Sequence, residues 1–90
     1  MERHHLLISG EVQAVGFRYF AYDEANQLGL TGYVGNLYDS RVEIEVQGDP
    51  RQIQTYIKIL NEGNGYSKVE DIEVEKIQLQ SEENSFRIVL

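Results

Sequence analysis

The chain has no cysteine and no tryptophan, and only one proline and one methionine. Without cysteine there are no disulfides and no thiolate metal sites, so packing and hydrogen bonds must hold the fold. The same lack fits a reducing compartment, and the cytoplasm is the expected location. Positive charge is also scarce. Eight Lys and Arg face fifteen Asp and Glu, a formal net charge of −7. Such a surface repels phosphate backbones, so nucleic acid is not an expected partner. No apolar run is long enough to cross a bilayer, and no basic segment followed by an apolar run marks a leader peptide, so no membrane role is expected. At 90 residues the chain suits one domain, residues 1–90, with a modest core.

What is present is strongly patterned. His4 to Val12 is rich in Leu, Ile and Val and reads as a strand. Tyr19 to Leu28 reads as a helix, because Phe17, Ala21, Ala25 and Leu28 form one stripe and Gly29 can stop it. Leu30 to Leu37 reads as a second strand and Tyr38 to Ser40 as a turn. Val42, Ile44 and Val46 then alternate with Glu43, Glu45 and Gln47, the pattern of a half-buried strand. Asp49 suits an N-cap and Pro50 the first helical position, ahead of the stripe Ile53, Tyr56, Ile57 and Leu60. Val69 to Leu79 reads as a strand whose apolar phase changes near Glu75 and Lys76, which predicts a bulge or bend there. Phe86, Ile88 and Leu90 alternate as a short last strand. The order is β-α-β-β-α-β plus a short extra C-terminal strand. That predicts an α+β, ferredoxin-like two-layer sandwich, an antiparallel sheet with both helices on one face. The fold hosts enzymes and binding modules alike, so function must come from a site.

The stretch "GEVQAVGFRYF", positions 10–20, is the candidate. It joins the first strand to the first helix. Unpaired N–H groups and the helix dipole make such a place receptive to anions. Gly16 can take backbone angles closed to other residues, which lets successive amides curl around an anion. Arg18 adds a planar fork of donors matched to phosphate oxygens. This is neither a Walker loop nor a dinucleotide fingerprint, since the glycine and lysine spacings differ. On these features alone, an ordinary loop with a surface arginine is the commoner reading.

Together with "GYVGNLYDSRVEIEVQG" from Gly32 to Gly48, the first stretch resembles the acylphosphatase family. Its motifs run approximately Gly-x-Val-Gln-Gly-Val-x-Phe-Arg and Gly-Tyr-Val-Lys-Asn-x-x-Asp-Gly-x-Val-Glu, and the resemblance spans nearly the whole chain. It implies hydrolysis of the carboxyl-phosphate anhydride bond of a small-molecule acyl phosphate, with inorganic phosphate as product. It implies that Arg18 binds the phosphoryl group with the loop amides of Gln13, Ala14, Val15, Gly16, Phe17 and Arg18, and that Asn36 positions the attacking water. It implies no metal and no organic cofactor, and a monomer is expected. Ala14 stands where the family has Gly, Ser40 where the turn has Gly, and Gly35 where a larger, often basic residue is usual. The departures at Ala14 and Gly35 motivate the alternative of a catalytically impaired anion-binding module of the same fold.

Other features carry less. His4 and His5 point to opposite faces of a strand and cannot readily share a ligand. The acidic stretches at 70–75 and 82–83 match no calcium-loop spacing and read as solvated faces. The six tyrosines and three phenylalanines show no RNA-binding aromatic motif.

Overall fold

A computed structural model describes residues 1–89. Its elements are β1 (Glu2–Glu11), α1 (Phe17–Gln27), β2 (Thr31–Asn36), β3 (Val42–Gly48), α2 (Pro50–Glu62), β4 (Lys68–Ile77) and β5 (Phe86–Ile88). The five strands form one sheet in the order β4-β1-β3-β2-β5. The first four pair antiparallel, and β5 joins the edge parallel to β2. This is the expected ferredoxin-like sandwich, with a mixed sheet because the added strand runs parallel. Leu90, read from sequence as part of the last strand, lies outside the described residues.

Strand alternation sets the layers. Leu6 and Ile8 of β1, Val34 of β2, and Val42, Ile44 and Val46 of β3 are all fully buried on one face. Phe17, Ala21 and Ala25 of α1 and Ile53, Tyr56 and Leu60 of α2 pack onto them. Each such large apolar side chain contributes roughly 1.5–3 kcal/mol when fully buried. The Tyr56 hydroxyl donates to the Ala21 carbonyl at 2.8 Å, tying the helices together. Asp49 caps α2 by accepting from the Arg51 amide at 2.8 Å, with Pro50 at the first helical position. The end of α1 is a Schellman motif. The Gly29 amide donates to Asn26 and the Leu30 amide to Ala25, with Gly29 at φ 70°.

The bulge lies elsewhere than expected. Ser9 pairs with Asp71 and Gly10 with Val69, so Glu70 is the extra residue in β4. The apolar phase change near Glu75 has another cause. Ile77 pairs with Arg3 on the face away from the helices, and Leu79 lies beyond the strand.

That second face is polar and closely paired. Arg3 is 2% exposed. Its guanidinium donates to Glu45 at 2.9 Å, to both Glu83 oxygens at 2.7 and 3.2 Å, and to Gln47 at 3.2 Å. The Tyr33 hydroxyl donates to Glu45 at 3.0 Å. Burial, reinforced by that carboxylate, pushes its pKa well above the usual phenol value. His4 and His5 face opposite ways on β1, an inner strand of the sheet. They contact Glu2 and Glu43, respectively.

Candidate active site

The loop between β1 and α1 is anchored at both ends. Val12 and Phe17 are each 1% exposed in the core. The residues between them are thereby held out at the end of the sheet. α1 begins at Phe17, two residues before the start expected from sequence. Its cap is not a side chain but the backbone of Gly16, at φ 77° and ψ 13°. The Gly16 carbonyl accepts the Phe20 amide at 3.1 Å. The amides of Phe17, Arg18 and Tyr19 therefore fall in the first turn, where no intrahelical acceptor exists. Ala14 also has a positive φ, 61°. Two left-handed residues in three positions bend the chain into a concave turn of the kind that gathers amides.

Side chains hold this turn from two sides. Gln13 donates through Nε2 to the carbonyls of Leu37 at 2.8 Å and Arg41 at 2.9 Å, in the turn between β2 and β3. From the other side, Asn64 in the α2–β4 connection donates through Nδ2 to the Val15 carbonyl at 2.9 Å. Asn64 is itself fixed. Its Oδ1 accepts the amides of Tyr66 at 3.0 Å and Ser67 at 2.9 Å, and its own amide donates to the Ser67 hydroxyl.

Asn36 ends β2, paired with Val42 and on the same face as Val34. Its Oδ1 is buried and has no hydrogen-bond partner among the described residues. Leaving such an acceptor unpaired costs about 1–3 kcal/mol, so it is open to a donor; among the described residues the Nδ1 of His4 is buried and unpaired as well. A cavity of about 390 Å³ is lined by Gln13, Asn36, Leu37 and Tyr38, so the loop and the end of β2 share one depression. Arg18 is half-buried and, among the described residues, makes no ion pair. Arg3, Arg41, Arg51 and Arg87 all lie within 4.0 Å of a carboxylate. A larger cavity of about 520 Å³ lies beside Arg3, Tyr33 and Glu83. Arg3, Tyr33 and Glu83 are occupied with one another there, so the smaller depression is the better site.

Of the six loop residues only Gln13 shares that depression with Asn36, and the six differ in what they present. The Phe17 side chain is core. The Gln13 side chain is spent on the turn carbonyls. What Ala14, Val15 and Gly16 present is backbone. Sequence reasoning missed Asn64, because Asn-Gly signals a turn and nothing local reports a contact with Val15, 49 positions away. Among the described residues no group of three His, Cys, Asp or Glu could hold a metal ion.

Fold and geometry define a ferredoxin-like protein whose β1–α1 loop packs against the turn after a strand that ends in an Asn36 Oδ1 unpaired among the described residues. The family model described as Acylphosphatase matches residues 4–88. An acylphosphatase of Clostridium perfringens is 47% identical over 87 residues, 96% of this chain and 97% of that one. One of Clostridium acetobutylicum is 43% identical over 89 residues, 99% of this chain and 98% of that one. The crystal structure of acylphosphatase from Bacillus subtilis superposes with a TM-score of 0.95 at 37% identity, each chain fully covered. The chain belongs to the acylphosphatase family of enzymes.

Proposed function

We propose that the protein hydrolyses small acyl phosphates to a carboxylate and inorganic phosphate, using Arg18 and the loop amides to bind the phosphoryl group and Asn36 to orient the water. The observations that support this reading are an arginine without an acidic partner among the described residues at the start of α1 and, at the end of β2, a buried Asn36 Oδ1 that is also unpaired among them.

The chemistry needs few parts. The leaving group is a carboxylate whose conjugate acid has a pKa of about 4–5, so it departs without a general acid. Phosphoryl transfer passes through a loose transition state, so the demands are positioning and charge stabilisation. The guanidinium and the amides at the start of α1 supply donors for the equatorial oxygens. The dipole of α1 adds positive potential at that end. Asn36 offers an acceptor to an attacking water without acting as a strong base. These groups do the work for which other phosphoryl-transfer enzymes use magnesium, and the reading therefore includes independence from metals and organic cofactors. The reading takes the monomer as the working unit. A chain without cysteine fits the cytoplasm.

The test is hydrolysis of benzoyl phosphate in the presence of EDTA by the wild type and by folded Arg18→Ala and Asn36→Ala variants. The expected outcome is wild-type turnover, lost by about a hundredfold or more in each variant, the cost of roughly 3 kcal/mol for one oriented group. Arg18→Ala should also weaken inhibition by phosphate, whereas Asn36→Ala should lower mainly kcat. A folded wild type that binds phosphate without turnover would instead favour an anion-binding module.

A further inference from the structure

We propose that Asn64 is a positioning residue for catalysis: by holding the Val15 carbonyl outward, it aims the Gly16 amide into the phosphoryl site. The inference rests on the reading of the loop given above. The argument starts from the peptide plane. In a trans peptide, the carbonyl oxygen of one residue and the N–H of the next point in opposite directions. No peptide bond in the described chain is cis. Fixing the direction of the Val15 oxygen therefore fixes the direction of the Gly16 hydrogen.

Asn64 is built to do that fixing. Its Nδ2 donates to the Val15 oxygen at 2.9 Å. Its Oδ1 is held by the amides of Tyr66 and Ser67 at 3.0 and 2.9 Å, so the side-chain amide is oriented by the connection that carries it. The peptide it holds leads into a glycine. The Val15–Gly16 unit is followed by a left-handed residue, and a Cβ at Gly16 would lie 3.7 Å from the Asn64 nitrogen. A glycine with free space around it can swing its peptide plane. The Asn64 contact removes that freedom before substrate arrives, so less ordering remains for binding or transfer. At the opposite end of the loop Gln13 instead anchors its own side chain to the β2–β3 turn and holds no loop carbonyl.

Two variants separate this role from its rivals. Asn64→Asp keeps the acceptor for Tyr66 and Ser67 but has no donor for Val15. Asn64→Ala removes the donor without adding charge. Both should bind inorganic phosphate about tenfold more weakly and hydrolyse benzoyl phosphate with a higher KM and a lower kcat. In amide NMR spectra of the wild type, added phosphate should shift the Gly16 signal. In both variants that response should shrink, while those of Phe17 and Arg18 persist. Loss in Asn64→Asp alone would assign the effect to charge, and loss in Asn64→Ala alone would assign it to the turn. Either result overturns the proposal. So does a wild type whose Gly16 amide ignores phosphate while Phe17 and Arg18 respond. A wild type that neither binds phosphate nor turns over would instead remove the reading on which the inference rests, and the inference with it.

Discussion

Arg3 and Arg18 are the same side chain in opposite surroundings. Arg3 lies on the helix-free face of the sheet, 2% exposed, with two carboxylates and an amide oxygen around its guanidinium. Arg18 lies at the start of α1, half-buried, with no carboxylate paired to it among the described residues. The first arrangement satisfies a buried charge internally, because an unpaired one would cost several kcal/mol. The second leaves a cation beside the positive end of a helix dipole, which is unfavourable in the empty protein and favourable once an anion is bound. In a chain of net charge −7, an arginine without an acidic partner stands out. What distinguishes Arg18 from Arg3 is incomplete pairing of the guanidinium, not the amount of polar surface.

The largest expected effect tests the scaffold side. Arg3→Met keeps the apolar stem but strands Glu45, Glu83 and Gln47. Removing one partner of a buried ion pair costs about 3–5 kcal/mol. Urea unfolding should show that loss, with turnover of the folded fraction within about twofold of wild type. A loss below about 1 kcal/mol would mean that the carboxylates simply rehydrate, and the contrast with Arg18 would collapse.

The reciprocal change is Arg18→Ala. It should reduce benzoyl phosphate hydrolysis by about a hundredfold or more, for the reasons given above. Its stability should match or exceed the wild type by about 0.5 kcal/mol, since it removes a cation from the positive end of α1. A stability loss above about 1 kcal/mol would recast Arg18 as a structural residue.

Much of this contrast was legible in the sequence, but unevenly. The core stripes of both helices and the alternation of β3 were readable because side-chain period follows backbone geometry. The start of α1 was not, since its cap is a left-handed glycine backbone and not a side-chain acceptor. The bulge was misplaced because apolar residues occur on both faces of β4, and their alternation changes where Ile77 turns to the open face. Arg18 could be picked out as a donor, but not its lack of an acidic partner, which depends on where the carboxylates fall in space. Asn36 was found only through family resemblance. A lone Asn at a strand end carries no local sign that its oxygen is buried and unpaired.

A smaller effect compares the two non-glycine residues with positive φ, Ala14 at 61° and Ser40 at 75°. The left-handed conformation costs a residue with a Cβ roughly 1–2 kcal/mol, and the extra freedom of glycine in the unfolded chain returns about 0.5–1 kcal/mol of that. Ala14→Gly and Ser40→Gly should each therefore stabilise by about 0.5 kcal/mol in thermal unfolding. Only Ala14 lies in the loop. A kinetic change in Ala14→Gly that Ser40→Gly does not share would show that the methyl shapes the site. Equal kinetics in all three proteins would confine its effect to folding.

The smallest effect concerns the turn that receives Gln13. The Arg41 guanidinium donates to Asp39 at 2.8 Å. That hydrogen bond holds the Asp39 carboxyl below its ordinary value of 3.8. A depressed carboxyl pKa stabilises the fold above the unfolded value and loses that stabilisation as pH falls through the folded one. The window is therefore below pH 3.8, and an exposed pair contributes little within it. NMR titration should place the Asp39 midpoint below 3.8 in the wild type and return it toward 3.8 in Arg41→Ala. Turnover at neutral pH should change by less than about twofold, because Gln13 bonds to the backbone carbonyl of Arg41 and not to its side chain. A larger loss would show that the exposed ion pair holds the turn in place for the loop, and that the divide between scaffold and site runs through this turn.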